Sequence, residues 1–312
     1  MESLKLSFES IMPLFILMAL GYAIREMKLA DKKDFDVMNK LVFTVFLPTL
    51  LFYNIYKTGA ATNFDLQLAG FAVIGILTVF AVGYFVVKVL SRDNSKRGVM
   101  LQGFFRSNYA ILGVPLVEYI CGGNSTGLAS LMVAVIIPVF NVLAVISLET
   151  FRGGKVSFKE LIKGIITNPL IIASLLGVLF MLCNITLPTV IEKAVSDISK
   201  IASPLAIIIL GASFSFSSIK GYVRDITIVV LTRLIIVPLL AVVAAVLLGF
   251  TGEALACLLI AFGAPVAVSS YSMSQQMGGD ETLSAQVVVI SSALCLATLF
   301  MWIFILSYMG LF

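Results

Sequence analysis

A chain of 312 residues that is 60% hydrophobic and 12% charged, with mean hydropathy +1.09, is too apolar for a soluble protein; soluble domains carry about 25% charged residues. It has no histidine, which removes histidine-held metals, histidine proton relays and Ser–His catalytic triads. The net charge of +4 lies in short basic loops and no Walker-type glycine loop occurs, so neither nucleic acid nor ATP is an expected partner.

About 20 apolar residues cross a bilayer. Windows of that length place ten spans near residues 8–27, 40–57, 66–90, 98–122, 126–149, 166–186, 199–219, 225–249, 253–277 and 282–311. The first run begins near Phe8 without a basic leader or a small-residue cleavage site before Gly21, so it reads as a retained span. Span 4 is interrupted by Asn108-Tyr-Ala-Ile-Leu-Gly-Val-Pro-Leu116. A basic linker follows span 5, and the mildly amphipathic stretch 187–200 reads as an outer-surface segment before span 7. Arg233, early in span 8, is expected to snorkel to the inner headgroups. Span 9 is interrupted by Phe262-Gly-Ala-Pro-Val-Ala-Val-Ser-Ser-Tyr-Ser-Met-Ser-Gln275-Gln276, and Asp280 and Glu281 read as the N-terminal cap of span 10. Cys121, Cys183, Cys257 and Cys295 have no metal-like spacing and read as packing residues.

Short loops rich in Lys and Arg mark the cytoplasmic side. With the N-terminus outside, all of the 21 basic residues except Lys5, Lys57, Lys193 and Lys200 collect inside, and both termini lie outside. Prolines then expose a repeat. Pro13, Pro48 and Pro115 are spaced by 35 and 67, and Pro169, Pro204 and Pro265 by 35 and 61. Gly21 and Gly177 each follow the first proline of a set by 8. The expected fold is therefore an all-α polytopic membrane protein of ten transmembrane helices. Residues 1–150 and 166–312 form two five-span repeats around a cytoplasmic linker at 151–165. An odd number of spans per repeat inverts the second copy, the architecture of many secondary transporters.

The two broken spans carry the chemistry. Irregular backbone at membrane depth is tolerated where protein or a water-filled cavity satisfies it, and matched breaks in two repeats point to a binding site. Half-helix N-termini favour anions, and freed carbonyls favour cations. Asn108 offers a donor and an acceptor, Gly113 and Gly263 permit close backbone approach, and Pro115 and Pro265 stop helix propagation. Ser269, Gln275 and Gln276 add polar groups. The bland alternative for each break is a simple proline kink. Arg106 reads either as a bidentate partner for a carboxylate or as an interfacial, snorkelling arginine. Glu118 reads either as a coupling proton or ion site or as a solvated carboxylate near the outer end of span 4.

These motifs resemble the auxin efflux carrier family, which includes plant auxin carriers and bacterial organic-acid permeases. The span 4 element from Asn108 to Leu116 resembles that family's N-x-x-x-x-G-[IV]-P-L motif. Leu47-Pro-Thr-Leu-Leu-Phe52, Ser203-Pro-Leu-Ala with Leu210-Gly-Ala-Ser213, and Pro265 through Asp280 look like its spans 2, 7 and 9. The resemblance covers nearly the whole chain. It implies spans 4 and 9 crossing at their prolines, a scaffold of spans 1, 2, 6 and 7, a moving transport part, a homodimer through the scaffold, and Asn108 in contact with substrate. The short linker and span 9 resemble bacterial members, which implies a plasma-membrane permease.

The expected function is alternating-access transport of small organic anions, carboxylates above all, with no catalysis, cofactor or metal. The bilayer and a second copy of the chain are the other expected partners. Alternatives are a membrane solute sensor of the same fold and a cation-coupled symporter; an intramembrane hydrolase lacks a base near its serines. The prolines make a sharp structural expectation: Pro115 and Pro265 should meet near mid-membrane beside Asn108.

Overall fold

The computed structural model describes residues 2–58, 65–121, 127–152 and 158–312, and Lys155 of the linker lies outside them. The described residues form fifteen α-helices and no strands. In chain order they are α1 (Glu2–Glu26), α2 (Lys32–Leu41), α3 (Leu47–Thr58), α4 (Leu66–Leu90), α5 (Asn94–Phe105), α6 (Tyr109–Ile120), α7 (Leu128–Phe151) and α8 (Phe158–Ile166). There follow α9 (Pro169–Leu182), α10 (Thr189–Ser213), α11 (Ile219–Leu231), α12 (Val237–Leu247), α13 (Gly252–Gly263), α14 (Ser269–Gln276) and α15 (Glu281–Tyr308). Six helical stretches are long and apolar enough to cross a bilayer: Lys32–Thr58, Leu66–Leu90, Leu128–Phe151, Thr189–Ser213, Ile219–Leu247 and Glu281–Tyr308. Large apolar side chains such as Ile74, Val82, Leu240 and Leu247 stand exposed on them, as a lipid-facing surface requires.

Two of these stretches contain a π-helical turn, at Val42–Phe46 and Thr232–Ile236, each just before a proline. Proline lacks the N–H for the carbonyl four residues earlier and clashes with it. A wider turn relieves that clash before Pro48 and before Pro238. The Leu234 carbonyl, left free by Pro238, accepts instead from the Trp302 indole N–H at 3.1 Å. Helix starts follow their sequence signals. Asp65, Asp93 and Asn168 each accept a backbone N–H of the helix they begin, and Pro169 follows Asn168. The Ser95 hydroxyl and backbone hold the Asp93 carboxyl below the usual carboxylate range. Asp280 caps α15 through the Leu283 N–H at 2.9 Å, as expected, with Glu281 in the first turn.

The expected outer segment at 187–200 is corrected: from Thr189 it is the first half of α10, continuous with span 7. Helix α1 packs along α10, and α3 packs along α9 and α10. Glycines make the first contact possible. A Cβ on Gly21 would lie 1.8 Å from the Ile208 carbonyl oxygen, and one on Gly211 would lie 2.0 Å from that of Met18. Small residues let membrane helices touch backbone to backbone. At the α9–α3 contact, a Cβ on Gly177 would come within 3.0 Å of the Phe52 carbonyl.

Candidate binding site at two broken helices

Helix α5 stops at Phe105, Arg106 is extended (φ −86°, ψ 108°), and α6 starts after Asn108. Helix α13 stops at Gly263, Ala264 is extended (φ −66°, ψ 155°), and α14 starts at Ser269. The two interruptions pair with each other. Ser107 and Val266 form an antiparallel bridge. The Asn108 N–H donates to the Pro265 carbonyl at 2.8 Å, and the Ala267 N–H donates to the Arg106 carbonyl at 3.4 Å. Each break thus satisfies backbone groups that the other leaves open, which is how irregular chain survives in an apolar slab. Val266 N–H has its own partner, the Ser291 hydroxyl, at 3.2 Å.

The second break falls where its proline predicts, because Pro265 disfavours helix at Ala264. The first does not fall at Gly113–Pro115, and that expectation is corrected. Both residues lie inside α6, and Pro115 is exposed. Gly113 makes room for an aromatic ring instead: a Cβ there would sit 2.7 Å from Tyr109 Cε1. Chain interruption comes earlier, at the polar run Arg106-Ser-Asn108, so Pro265 meets Asn108 and not Pro115. Gly263 is the buried last residue of α13 and has ordinary contacts around it.

Polar side chains converge on the pairing. Arg106 is 3% exposed. Its guanidinium donates to Gln102 Oε1 at 3.1 Å, to Asn141 Oδ1 at 2.8 Å and toward the Met273 sulfur. Asn141 in turn donates to the Ser174 hydroxyl at 3.0 Å, linking α7 to α9. None of these acceptors is a carboxylate, so the interpretation of Arg106 as a snorkelling residue is corrected: it is buried beside the pairing. Several polar atoms here are buried without an internal partner, among them Asn108 Nδ2, Ser107 Oγ, Gln102 Nε2 and the hydroxyls of Ser270, Ser272 and Ser274. Each such group costs about 1–3 kcal/mol unless a ligand or water meets it.

Arg233 is the residue that the sequence reading misplaced. It does not snorkel. It is fully buried, carried inward on the π-helical turn before Pro238. Its Nε donates to the Ala264 carbonyl at 2.8 Å and its Nη2 to the Ala261 carbonyl at 2.8 Å. Its Nη1 donates to the carbonyls of Phe105 at 3.1 Å and Phe104 at 3.4 Å. One guanidinium therefore caps the C-terminal ends of both α5 and α13. Among the residues whose side chains are described, the buried charged ones are Arg106 and Arg233, with no buried Asp or Glu. The signal was available: an ionisable residue inside an apolar run is a functional candidate by default. Gln102 and Asn141 carried the weaker signal of lone amides in apolar helices.

The remaining predicted residues are spread along the two segments. Ser269 is the half-buried first residue of α14. Gln275 points to a different neighbourhood: its amide donates to Asp36 Oδ1 at 2.7 Å and Glu281 Oε2 at 3.2 Å, and its oxygen accepts from Asn39. Beside this network, Lys32 pairs with Glu281 at 2.7 Å, and Arg25, Asp36, Tyr271 and Gln275 line a cavity of about 220 Å³. Gln276 ends α14 half-buried. Glu118 is exposed near the end of α6, ten residues beyond Asn108. Among the described residues, no group of three or more His, Cys, Asp and Glu is placed to hold a metal ion.

Comparison with known proteins gives a consistent result. The family model described as membrane transport protein matches residues 6–160 and 154–303. A protein of Methanothermobacter thermautotrophicus named as an uncharacterized transporter is 27% identical over 300 residues, covering 95% of this chain and 97% of its own. An uncharacterized transporter of Methanocaldococcus jannaschii is 24% identical over 301 residues, covering 93% and 96%.

Proposed function

The chain belongs to the auxin efflux carrier family of membrane transport proteins, and from that premise we propose that it is a secondary transporter of small organic anions, carboxylates first. The observation that carries this reading is the antiparallel pairing of the two broken segments, flanked by a buried cation and unpartnered donors. The N-termini of α6 and α14 both begin at the pairing. Their partial positive ends favour an anion. Arg106, held by neutral acceptors, adds a whole positive charge in a medium of low dielectric. Asn108 Nδ2 and Ser107 Oγ are donors that a carboxylate can accept from. Backbone near Gly263 and Pro265 and the Ser269 end of α14 close the site, while Gln275, at the far end of α14, lines the separate cavity of about 220 Å³ and Gln276 ends the helix.

In this reading the ten spans are α1, α2 with α3, α4, α5 with α6, α7, α9, α10, α11 with α12, α13 with α14, and α15. Two inverted repeats are supported by the glycine contacts. Gly21 of α1 presses on α10, the seventh span, and Gly177 of α9 presses on α3, the second. Exchanging the halves exchanges these contacts. The group α1, α3, α9 and α10 forms the scaffold, through which two copies associate, and the part holding both breaks moves against it. The basic loops lie inside and both termini outside, in the plasma membrane.

Uptake of radiolabelled mono- and dicarboxylates into proteoliposomes is the direct test. The expected result is saturable counterflow that Asn108→Ala and Arg106→Gln each reduce by at least about tenfold, the value of one lost charge-assisted contact. Undiminished uptake by both variants would place the substrate elsewhere.

A further inference from the structure

We propose that Arg233 is the resident cation of the helix pairing, holding with its guanidinium the carbonyl-lined position that a coupling metal cation takes in other broken-helix transporters. The geometry is specific. The carbonyls of Phe104 and Phe105 end α5, and those of Ala261 and Ala264 end α13. A helix C-terminus carries roughly half a negative charge, and two of them meet here. Freed carbonyls and half-helix C-termini are the groups that coordinate Na⁺ in broken-helix transporters. In this chain all four oxygens face one planar fork at 2.8–3.4 Å. Among the residues whose side chains are described, no carboxylate is buried, and none of the groups bonded to this guanidinium is one.

The arrangement has two consequences. Arginine is effectively always charged and its fork spans two helices, so the negative ends are neutralised permanently and the pairing needs no metal ion to assemble. The positive N-termini of α6 and α14 and the Arg106 guanidinium then dominate the local field, which sets the preference for an anion. This second consequence rests on the transport reading, whereas the cation position itself does not. Arg233 is thus a positioning residue that also sets ion preference.

Thermal unfolding of the purified protein in detergent tests the cation position without any substrate. Wild type, Arg233→Ala and Arg233→Lys are compared in equal ionic strengths of choline, Na⁺ and millimolar methylguanidinium chloride, the last too dilute to denature. The wild-type melting temperature is expected to be the same in all three salts. Arg233→Ala is expected to melt lower in choline and to be raised saturably by methylguanidinium, and also by Na⁺ entering the vacated carbonyl cage. A merely structural arginine predicts a lower melting temperature with no such salt specificity. Saturable stabilisation of the wild type by Na⁺ overturns the proposal, as does an Arg233→Ala protein indifferent to methylguanidinium. Should Arg233→Ala not fold, Arg233→Lys decides with the wild type. Its ammonium still fills the position, so it should melt below the wild type but remain indifferent to Na⁺, and a Na⁺ response in either protein overturns the proposal. Proteoliposome uptake with Na⁺ replaced by choline should be unchanged. Absence of any carboxylate uptake would defeat the transport reading while leaving the melting result intact.

Discussion

Two regions of this molecule bring polypeptide backbones into direct contact inside an apolar slab, and they do so by opposite means. Where α1 meets α10, both helices stay intact and side chains are deleted: Gly21 and Gly211 let carbonyls approach to less than the space a Cβ needs. Where α5–α6 meets α13–α14, the helices themselves are opened, and backbone groups bond across the gap. At the glycines the first contact is made by close packing of intact helices, and Arg25 of α1 donates to the carbonyls of Ala212 and Phe214 at its end. The second leaves polar atoms over, which Arg233 caps on one side and a ligand can meet on the other. Recognition chemistry in a membrane protein is therefore to be sought where helices break, and rigidity where they touch through glycine.

Removing the cap should damage the open contact most. Arg233→Ala leaves four carbonyls facing an apolar cavity. The expected loss is on the order of 3–5 kcal/mol, because several buried acceptors lose their donor at once and each costs about 1–3 kcal/mol. Denaturant or thermal unfolding in detergent measures it. A loss below that of the glycine variant described next would reverse the ranking of the two contacts.

Gly211→Ala probes the glycine contact. The new methyl would lie 2.0 Å from the Met18 carbonyl oxygen, a backbone atom that moves only if α1 moves. Overpacking of this kind costs about 1–3 kcal/mol. Because the added methyl removes no donor and no charge, substrate preference should be unchanged in the fraction that folds, and competition among carboxylates in the uptake assay reads this out. A shifted preference would mean that the two contacts are coupled more closely than their chemistry indicates.

Arg106→Gln separates site from scaffold in the other direction. Its partners are two amide oxygens and a thioether, which a glutamine amide can partly satisfy. The stability cost should be about 1 kcal/mol, near that of one exchanged hydrogen bond. Carboxylate uptake, in contrast, should fall far more than stability does. Parallel loss of both would make Arg106 a structural residue like Arg233.

How far the sequence exposed all this follows from what each signal measures. Hydropathy windows found the helical stretches because burial in lipid demands long apolar runs, and loss of apolar character located both broken spans. Proline located the second break, since Pro265 sits at the interruption itself. It misled at the first, where Pro115 is tolerated within α6 and the interruption is made by Arg106-Ser-Asn108 pairing with a distant segment. The spacings already differed, 67 residues from Pro48 to Pro115 against 61 from Pro204 to Pro265, by nearly the distance from Asn108 to Pro115. Arg233 was misread because a charge early in a span is usually within reach of headgroups, and only tertiary packing shows four carbonyls converging on it.

The smallest expected effect is the one that locates the first break most sharply. Pro115 is exposed on α6, and its ring denies the Ile111 carbonyl its helical partner. Pro115→Ala restores that donor and removes no contact to the pairing, which lies a full helical stretch away at Ser107 and Asn108. Uptake should change by no more than about twofold, and stability should hold or rise, because alanine restores the hydrogen bond that a mid-helix proline breaks. Pro265→Ala is the control, because that residue lies in the interruption and its replacement invites helix to continue through Ala264. If Pro115→Ala abolished uptake as Pro265→Ala is expected to, the two prolines would be equivalent after all. The functional break in α6 would then lie a turn or more beyond Asn108.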